Sequence, residues 1–235
     1  MARDPPLRSN WLIVSEASAS TTQRTSYAAA AKILADRDPV IARLTVETGL
    51  PRLGRPTMSH FATLVQAIVY QQLAGAAASA IHRRLVAALD DDVQPGPLIA
   101  LSDETLRAVG LSAAKVVSVR DLASKVLDGT VNLSPRSLSR QDDEQIIAAL
   151  STVRGVGRWT SQMFLMFQLR RVDVWPTGDF GVRRGYGLAW EVPMPTARQL
   201  EPLGDPYRPY RSVAAWYCWR AVELYAGAVP TAVTN

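Results

Sequence analysis

Apolar residues recur along most of this chain with the spacing of an α-helix. A clear example is the face that begins at residue 61 and consists of Phe61, Leu64, Val65, Ile68 and Val69. Steps of three and four residues are typical of a helix with one buried side. The sequence contains no internal repeat and no convincing strand that alternates apolar and polar residues. The pattern therefore predicts an all-α fold.

Capping residues divide this pattern into separate helices. Ser26, Ser102 and Ser112 each precede an apolar run, as N-caps do. One further helix is predicted to end near Thr152. The next is predicted to begin around Arg158, after a tight glycine turn, and to continue as a single helix over the apolar run to Arg171. The glycines predicted to end helices are Gly49, Gly110, Gly129 and Gly227.

The composition narrows the class of protein. The 235 residues are 48% hydrophobic, enough for a substantial core, and carry a formal net charge of +5 with 23 arginines against three lysines. The arginine excess fits phosphate binding, and it fits equally well a genome that prefers arginine codons. The single cysteine, Cys218, excludes an internal disulfide, a cysteine zinc site and a cysteine-ligated iron–sulfur cluster. We expect it to be a buried thiol.

The N-terminal segment carries no targeting signal that we recognise. Residues 1–25 are rich in Pro, Ser and Thr without periodicity, and we expect a poorly ordered arm. Their longest apolar run, Trp11 to Val14, is too short for a signal peptide, and no run in the chain approaches a membrane span. We therefore expect a soluble intracellular protein without a membrane partner, located in the cytoplasm or nucleoid if bacterial.

The segment LSTVRGVGRWT, residues 150–160, places two glycines between two predicted helices. Without side chains at Gly155 and Gly157, a phosphate can approach the free N–H groups at the start of the second helix. Arg154 and Arg158 would add positive charge there. The alternative is an ordinary helix–helix connection, in which Gly-x-Gly is common.

Several segments together resemble the helix-hairpin-helix (HhH-GPD) DNA glycosylase superfamily. They are VRGVGRWT, VWPTGDFGVRRG, FATLVQAIVYQQLAGAAASAI, LRAVGLSAAKVVSVRDLASKVLDG and YRPYRSVAAWYCWR, in the family's order over most of residues 60–225. The similarity is greatest to the 3-methyladenine DNA glycosylase II type. It implies two helical subdomains with the active-site cleft between them. Residues 60–170, with the hairpin motif at about 143–170, form the central subdomain, and residues 26–59 and 171–235 form the other.

In this resemblance Asp179 takes the place of the catalytic aspartate. Breaking an N-glycosidic bond builds positive charge on the deoxyribose, which a fixed carboxylate stabilises. A base made cationic by methylation leaves as a neutral molecule, so no second carboxyl group is required as an acid. The alternative for an isolated Asp after Thr-Gly is a helix N-cap, and the two roles are compatible.

Aromatic residues near the resemblance motifs are candidates for a base pocket. The resemblance implies Trp159, Trp219 and Phe180 as pocket residues. Met163 stands where a close relative would carry a tyrosine. Trp175 and Tyr217 are further aromatic candidates. The alternative is that such side chains belong to the core, which we expect for Trp216 and Tyr217. Relatives that cut the strand carry a lysine nucleophile where this chain has Trp159, so we expect hydrolysis without a lyase step.

The remaining site residues concern DNA. After base flipping, the wedge that fills the gap in the duplex is expected from Gln71, Gln72 or Leu73, with Gln72 at the family position. Thr160, in the first turn after the hairpin, is a further DNA-binding candidate. The resemblance also implies a structural Na⁺ or K⁺ on the backbone carbonyls of Ser151, Val153 and Gly155, and no cofactor requirement.

The resemblance thus implies a monofunctional glycosylase that removes alkylated purines, of the 3-methyladenine and 7-methylguanine class, from double-stranded DNA, and we expect it to act as a monomer. Two alternatives remain. One is a glycosylase for other damaged or mismatched bases. The other is a non-catalytic protein that binds DNA through the hairpin alone.

Overall fold

A computed structural model of the chain describes residues 26–227, and the predicted arm at residues 1–25 lies outside them. The described part is helical and contains no strand, so the predicted all-α fold is confirmed. The α-helices are α1 Tyr27–Ala35, α2 Pro39–Thr48, α3 His60–Tyr70, α4 Gly75–Ala88, α5 Pro95–Ala100, α6 Asp103–Ala108, α7 Ala113–Leu127, α8 Pro135–Leu138, α9 Asp143–Ser151, α10 Arg158–Met163, α11 Phe180–Ala189, α12 Ala197–Leu203 and α13 Arg211–Tyr225.

Side-chain caps determine where many of these helices begin. Ser26, Ser102 and Ser112 each accept a hydrogen bond from a backbone N–H three residues on, as predicted. Asp142 and Gln145 form a reciprocal capping box at the start of α9. Each cap satisfies a donor that the helix itself leaves unpaired and stabilises the fold by about 1 kcal/mol.

The described residues divide into two compact units. The central unit is Gly54–Phe164, and the terminal unit combines residues 26–53 with 165–227. In the central unit α7 packs against α3, α5 and α6, while α9 packs against α10. The fully buried side chains of this unit include Leu64, Ile68, Leu85, Leu98, Leu106, Leu122 and Ile146.

The terminal unit is organised by a close crossing of α11 and α13, its most extensive helix pairing. A Cβ atom on Gly185 of α11 would lie 1.8 Å from the backbone oxygen of Cys218 in α13. Only glycine fits this contact, because the obstructing atom is main chain and cannot rotate away. The two helix backbones therefore touch, and this fixes the positions of the side chains that they carry. Cys218 is buried, as expected.

One helix differs from the sequence prediction. The apolar run that follows the hairpin was expected to continue as a single helix to Arg171, but α10 ends at Met163 and a π-helical turn, Phe164–Gln168, follows. The Arg171 N–H donates to the Leu165 carbonyl at 2.9 Å, and Arg170 adopts a left-handed conformation with φ of 60°. The π-helical turn ends the helix at a position that the spacing of apolar residues does not indicate.

Candidate active site

Asp179 is the N-cap of α11. Its Oδ1 accepts a hydrogen bond from the Val182 N–H at 2.8 Å, and its own N–H donates to the Pro176 carbonyl at 2.9 Å. The side chain is nearly buried, with 9% of its surface exposed. The first turn of a helix carries free N–H groups and the positive end of the helix dipole, and the Asp179 side chain lies at this end of α11. The N-cap interpretation is therefore confirmed, and it orients the carboxylate.

Trp219 supplies a second donor to the same oxygen. Its indole Nε1 donates to Asp179 Oδ1 at 2.9 Å, from the neighbouring helix α13. The indole is 8% exposed and lies beside the Phe167 ring, with the ring centroids 5.7 Å apart and the planes tilted by 31°. Both donors are neutral N–H groups. Burial raises the pKa of the Cys218 thiol, and the nearby negative charge of Asp179 raises it further.

The other predicted pocket residues fall into two groups. Phe180, the first residue of α11, is 48% exposed with the Arg183 guanidinium 5.9 Å from its ring centre, and Trp159 in the central unit is 39% exposed. Met163 is buried in that unit. Trp175 is buried in the terminal unit, where its Nε1 donates to the Leu200 carbonyl at 2.9 Å. The structure thus assigns Trp175 to the core rather than to an accessible stacking surface.

The position of Trp175 also explains why residue 204 is a glycine. A Cβ on Gly204 would lie 2.5 Å from Trp175 Nε1, so the α12 end packs directly on the indole. Tyr217 is a core residue too, fully buried, with its hydroxyl 2.8 Å from Thr45 Oγ1. Both side chains illustrate the core alternative for aromatic residues near the site.

The hairpin between α9 and α10 is anchored by two buried valines, Val153 and Val156. Gly155 has a left-handed φ of 75°, and a Cβ there would lie 2.7 Å from Ser118 Oγ. Gly157 differs, because its φ of −103° suits any residue and a Cβ there would meet no described atom within 4 Å. No described residue accepts a hydrogen bond from the N–H of Gly155 or Gly157.

The hairpin arginines have partners within the central unit. Arg158 Nη1 donates to Glu144 Oε2 at 2.8 Å, and this bond holds the pKa of Glu144 below its usual value. The Arg154 N–H donates to Asp121 Oδ2 at 2.7 Å, while the Arg154 side chain is exposed. The amide of Arg154 therefore braces the hairpin, which leaves the glycine amides as the accessible donors of the turn.

The loop after α3 is held at its first residue. Gln71 Nε2 donates to the Gly155 carbonyl at 2.8 Å and lies 3.3 Å from the buried Thr160 Oγ1. Lys115 Nζ donates to the carbonyls of Val69 and Gln71 at 2.7 and 2.9 Å, and burial lowers its pKa. Gln71 is thus committed to protein contacts.

The next two residues of this loop project outward. Gln72 has a left-handed φ of 56°, and both Gln72 and Leu73 are exposed. Of the three wedge candidates, these two have side chains available for a partner.

The carbonyls implied for a monovalent cation are those of Ser151, Val153 and Gly155. The Val153 carbonyl accepts from the Val156 N–H at 3.0 Å, and the Gly155 carbonyl accepts from Gln71. Each of these oxygens keeps a second lone pair, so the cation site stays a prediction from the resemblance. Among residues 26–227 there is no cluster of three His, Cys, Asp or Glu side chains that could hold a metal ion, and no helix there is long and apolar enough to cross a membrane.

Two residues near Asp179 and Trp219, Phe167 and Gly181, were not predicted from the sequence. A Cβ on Gly181 would lie 2.8 Å from Trp219 Cδ1 and 3.1 Å from Asp179 Oδ1. The available signal was the glycine two residues after the candidate aspartate. Phe167 offered no signal, because its place beside Trp219 depends on the π-helical turn.

Comparison with known proteins identifies the family of this chain. The family model of HhH-GPD superfamily base excision DNA repair proteins matches residues 65–204. DNA-3-methyladenine glycosylase 1 of Schizosaccharomyces pombe is 33% identical over 164 residues, which cover 68% of this chain and 72% of that protein.

Solved structures are similar over most of the chain. The S. pombe 3-methyladenine DNA glycosylase Mag1, in complex with abasic DNA, gives a TM-score of 0.73 at 30% identity and covers 83% of this chain and 97% of its own. A DNA-3-methyladenine glycosidase from Bacillus halodurans gives a TM-score of 0.77 at 31% identity, covering 85% of this chain and 91% of its own. The chain belongs to the HhH-GPD superfamily of base excision DNA repair proteins.

Proposed function

We propose that this protein is a DNA glycosylase that hydrolyses the N-glycosidic bond of alkylated purines in double-stranded DNA. The observation that carries the proposal is the nearly buried Asp179 carboxylate, fixed at the start of α11 by two N–H donors. Relatives named as 3-methyladenine glycosylases support the substrate class.

Asp179 has the properties that this reaction requires. As the bond to the base lengthens, positive charge develops on the sugar, and a preorganised anion in a water-poor setting stabilises it more than water would. The same carboxylate can orient or deprotonate the attacking water. A methylated purine is already cationic and leaves as a neutral base. A single carboxylate therefore suffices for the chemistry.

DNA binding would rely on the hairpin and the loop after α3. The unpartnered amides of Gly155 and Gly157 suit a phosphate oxygen, and the open space at Gly157 allows it to approach. Gln72 and Leu73 are the exposed candidates for the wedge. Phe180 in the terminal unit and Trp159 in the central unit each expose an aromatic face. A flipped base that stacks on such a face gains a cation–π contribution of about 0.5–2 kcal/mol if it is cationic.

The proposal includes release of the base without strand cleavage. We also propose that the enzyme is a monomer and that it acts in the cellular compartment that contains the DNA. Trp159 occupies the family position of the lyase lysine. The ammonium groups of Lys115 and Lys125 already donate to protein oxygens. Gel filtration with light scattering, in the presence and absence of duplex DNA, tests the monomer.

The two alternatives are a different base specificity and a non-catalytic DNA-binding role. The first would keep Asp179 and change only the lesion. A non-catalytic DNA-binding role does not explain why two N–H donors hold the Asp179 carboxylate. A panel of duplexes with 3-methyladenine, 7-methylguanine, hypoxanthine, ethenoadenine or a mismatch separates these alternatives.

The decisive experiment measures single-turnover excision from methylated duplex DNA by the wild type and by Asp179→Asn. Asparagine is as good an N-cap as aspartate, so α11 should stay folded while the negative charge is lost. We expect the rate constant to fall by roughly 10²–10³-fold or more. Binding to abasic duplex should stay within a few-fold of the wild type. Near-normal turnover by the variant would remove Asp179 from the mechanism.

A further inference from the structure

The indole edge of Trp219 is directed at the carboxylate, and its orientation is fixed. Its Nε1 lies 2.9 Å from Asp179 Oδ1, and both side chains have less than a tenth of their surface exposed. A hydrogen bond to a carboxylate in such surroundings is stronger than one in water, because little solvent competes for either partner.

Gly181 makes this contact sterically feasible. A Cβ at this position would lie 2.8 Å from Trp219 Cδ1, 3.1 Å from Trp219 Nε1 and 3.1 Å from Asp179 Oδ1. The φ of Gly181 lies outside the left-handed region, so the backbone conformation does not require glycine there. The missing side chain thus serves the approach of the indole to the carboxylate.

The surrounding packing holds the indole in place. Phe167 lies against it with ring centroids 5.7 Å apart. The backbone contact between Gly185 and Cys218 fixes the spacing of α11 and α13, the helices that carry the two partners. Three features therefore support this one hydrogen bond: the missing side chain at Gly181, the Phe167 ring and the backbone contact between Gly185 and Cys218.

We propose that Trp219 is a positioning residue, which holds Asp179 Oδ1 through its N–H so that the carboxylate keeps one orientation, and that Gly181 makes this contact possible. The inference rests on the proposed role of Asp179 in stabilising the sugar cation. Trp219 then acts through the carboxylate rather than by stacking on the base. Its removal should slow the excision of every base by the same factor, whether the base is cationic or neutral.

Two variants break the hydrogen bond in different ways. Trp219→Phe keeps an aromatic face and removes the N–H, whereas Gly181→Ala keeps the indole and pushes it from the carboxylate. Each should lower the single-turnover rate on a 7-methylguanine duplex by about ten- to a hundred-fold, with unchanged affinity for abasic DNA. The double variant should be no slower than the slower single variant, because both changes remove the same interaction.

Matched controls make the same chemical changes elsewhere. Trp216→Phe alters a buried tryptophan on the same helix, and Gly96→Ala adds a methyl group where no described atom lies within 4 Å. Both should retain the wild-type rate. If Trp219→Phe and Gly181→Ala also retain it while Asp179→Asn is inactive, the positioning role is wrong and the proposed function survives. If Asp179→Asn is active, the proposed function fails instead.

A spectroscopic measurement covers the case in which these variants fold poorly. In ¹⁵N-tryptophan-labelled protein, the Trp219 indole N–H resonance should move upfield in Asp179→Asn, because a neutral acceptor replaces a charged one. The resonance is assigned by its loss from Trp219→Phe, or by selective broadening near a spin label if that variant is insoluble. An unmoved Trp219 resonance would show that the hydrogen bond is absent and overturn the inference.

Discussion

Gln71 Nε2 lies 2.8 Å from the Gly155 carbonyl oxygen, so the residue that ends α3 is bonded to the tip of the hairpin. The two residues are 84 positions apart in the chain. This hydrogen bond connects the loop that carries the wedge candidates to the turn that carries the free amides. Within the central unit, these two DNA-binding elements form one hydrogen-bonded structure.

Gln71→Ala should loosen the hairpin. It removes the bond to Gly155 and the contact with Thr160, and we expect the free energy of unfolding to fall by about 0.5–1.5 kcal/mol. Affinity for undamaged duplex should fall as well. Urea unfolding and fluorescence anisotropy measure the two effects. The exposed neighbour provides the comparison, since Gln72→Ala should leave the unfolding free energy unchanged. Equal stability losses for both variants would argue against the connection.

Gly157→Asp tests the amides without disturbing the fold. A side chain at residue 157 meets open space and a φ that any residue adopts, so the variant should unfold at the wild-type urea concentration. The added carboxylate would face a phosphate, so affinity should fall alike for damaged and undamaged duplexes. Gly96→Asp adds the same charge at another open glycine of the central unit and serves as the control. A loss confined to damaged DNA would mean that the hairpin is not a phosphate clamp.

Asp121 braces the hairpin from α7, and its contribution should depend on pH. Burial alone would raise the pKa of Asp121, but hydrogen bonds from Lys125 and from the Arg154 N–H outweigh this effect and lower it below 3.8. A lowered folded-state pKa stabilises the protein above the unfolded value, and this stabilisation is lost as the pH falls through the folded value.

Asp121→Asn should therefore be less stable than the wild type at pH 7, by about 1 kcal/mol. The difference should shrink below pH 4, where the wild-type carboxylate takes up its proton and the two side chains become alike. Denaturant unfolding from pH 7 to pH 2 measures it. A difference that stays constant over this range would contradict a role for the ionised carboxylate.

The helices and their caps could be predicted from the sequence, because a cap such as Ser112 and the backbone N–H that donates to it lie within one turn. The two hairpin glycines were also predicted, but not their separate reasons. Gly155 is required by its φ and by Ser118, which lies on another helix, whereas Gly157 has no such constraint. Distinguishing the two requires knowledge of how α7 packs beside the turn.

The sequence alone could not predict which aromatic side chains are buried or what their N–H groups contact. Trp219 and Trp175 were both pocket candidates, and each turned out to be buried with its N–H bonded. One contacts the candidate catalytic carboxylate and the other contacts a core carbonyl. The partner of each indole is set by tertiary packing, in particular by the absent side chains at Gly181 and Gly204. Residue type and helical spacing do not contain that information.

The last prediction concerns the product that the enzyme leaves. A lyase needs an unprotonated amine that attacks C1′ and holds the sugar as an imine. The chain has three lysines, of which Lys32 is exposed on α1 in the terminal unit. Lys125 Nζ is paired with Asp121 at 2.8 Å. Lys115 is the strongest candidate by acidity, since burial lowers its pKa, but its Nζ donates to the two carbonyls that end α3.

We therefore expect an intact abasic strand after base release. Borohydride added during turnover should trap no covalent protein–DNA adduct, and strand breaks should appear only after alkali or a separate abasic-site nuclease. A lyase of known activity, run in parallel, shows that trapping works under the conditions used. Because arginine stays protonated at any accessible pH, the 23 arginines cannot replace the amine. An adduct that survives denaturation and maps to Lys115 or to the N-terminal amine would establish a lyase step and overturn the assignment of simple hydrolysis.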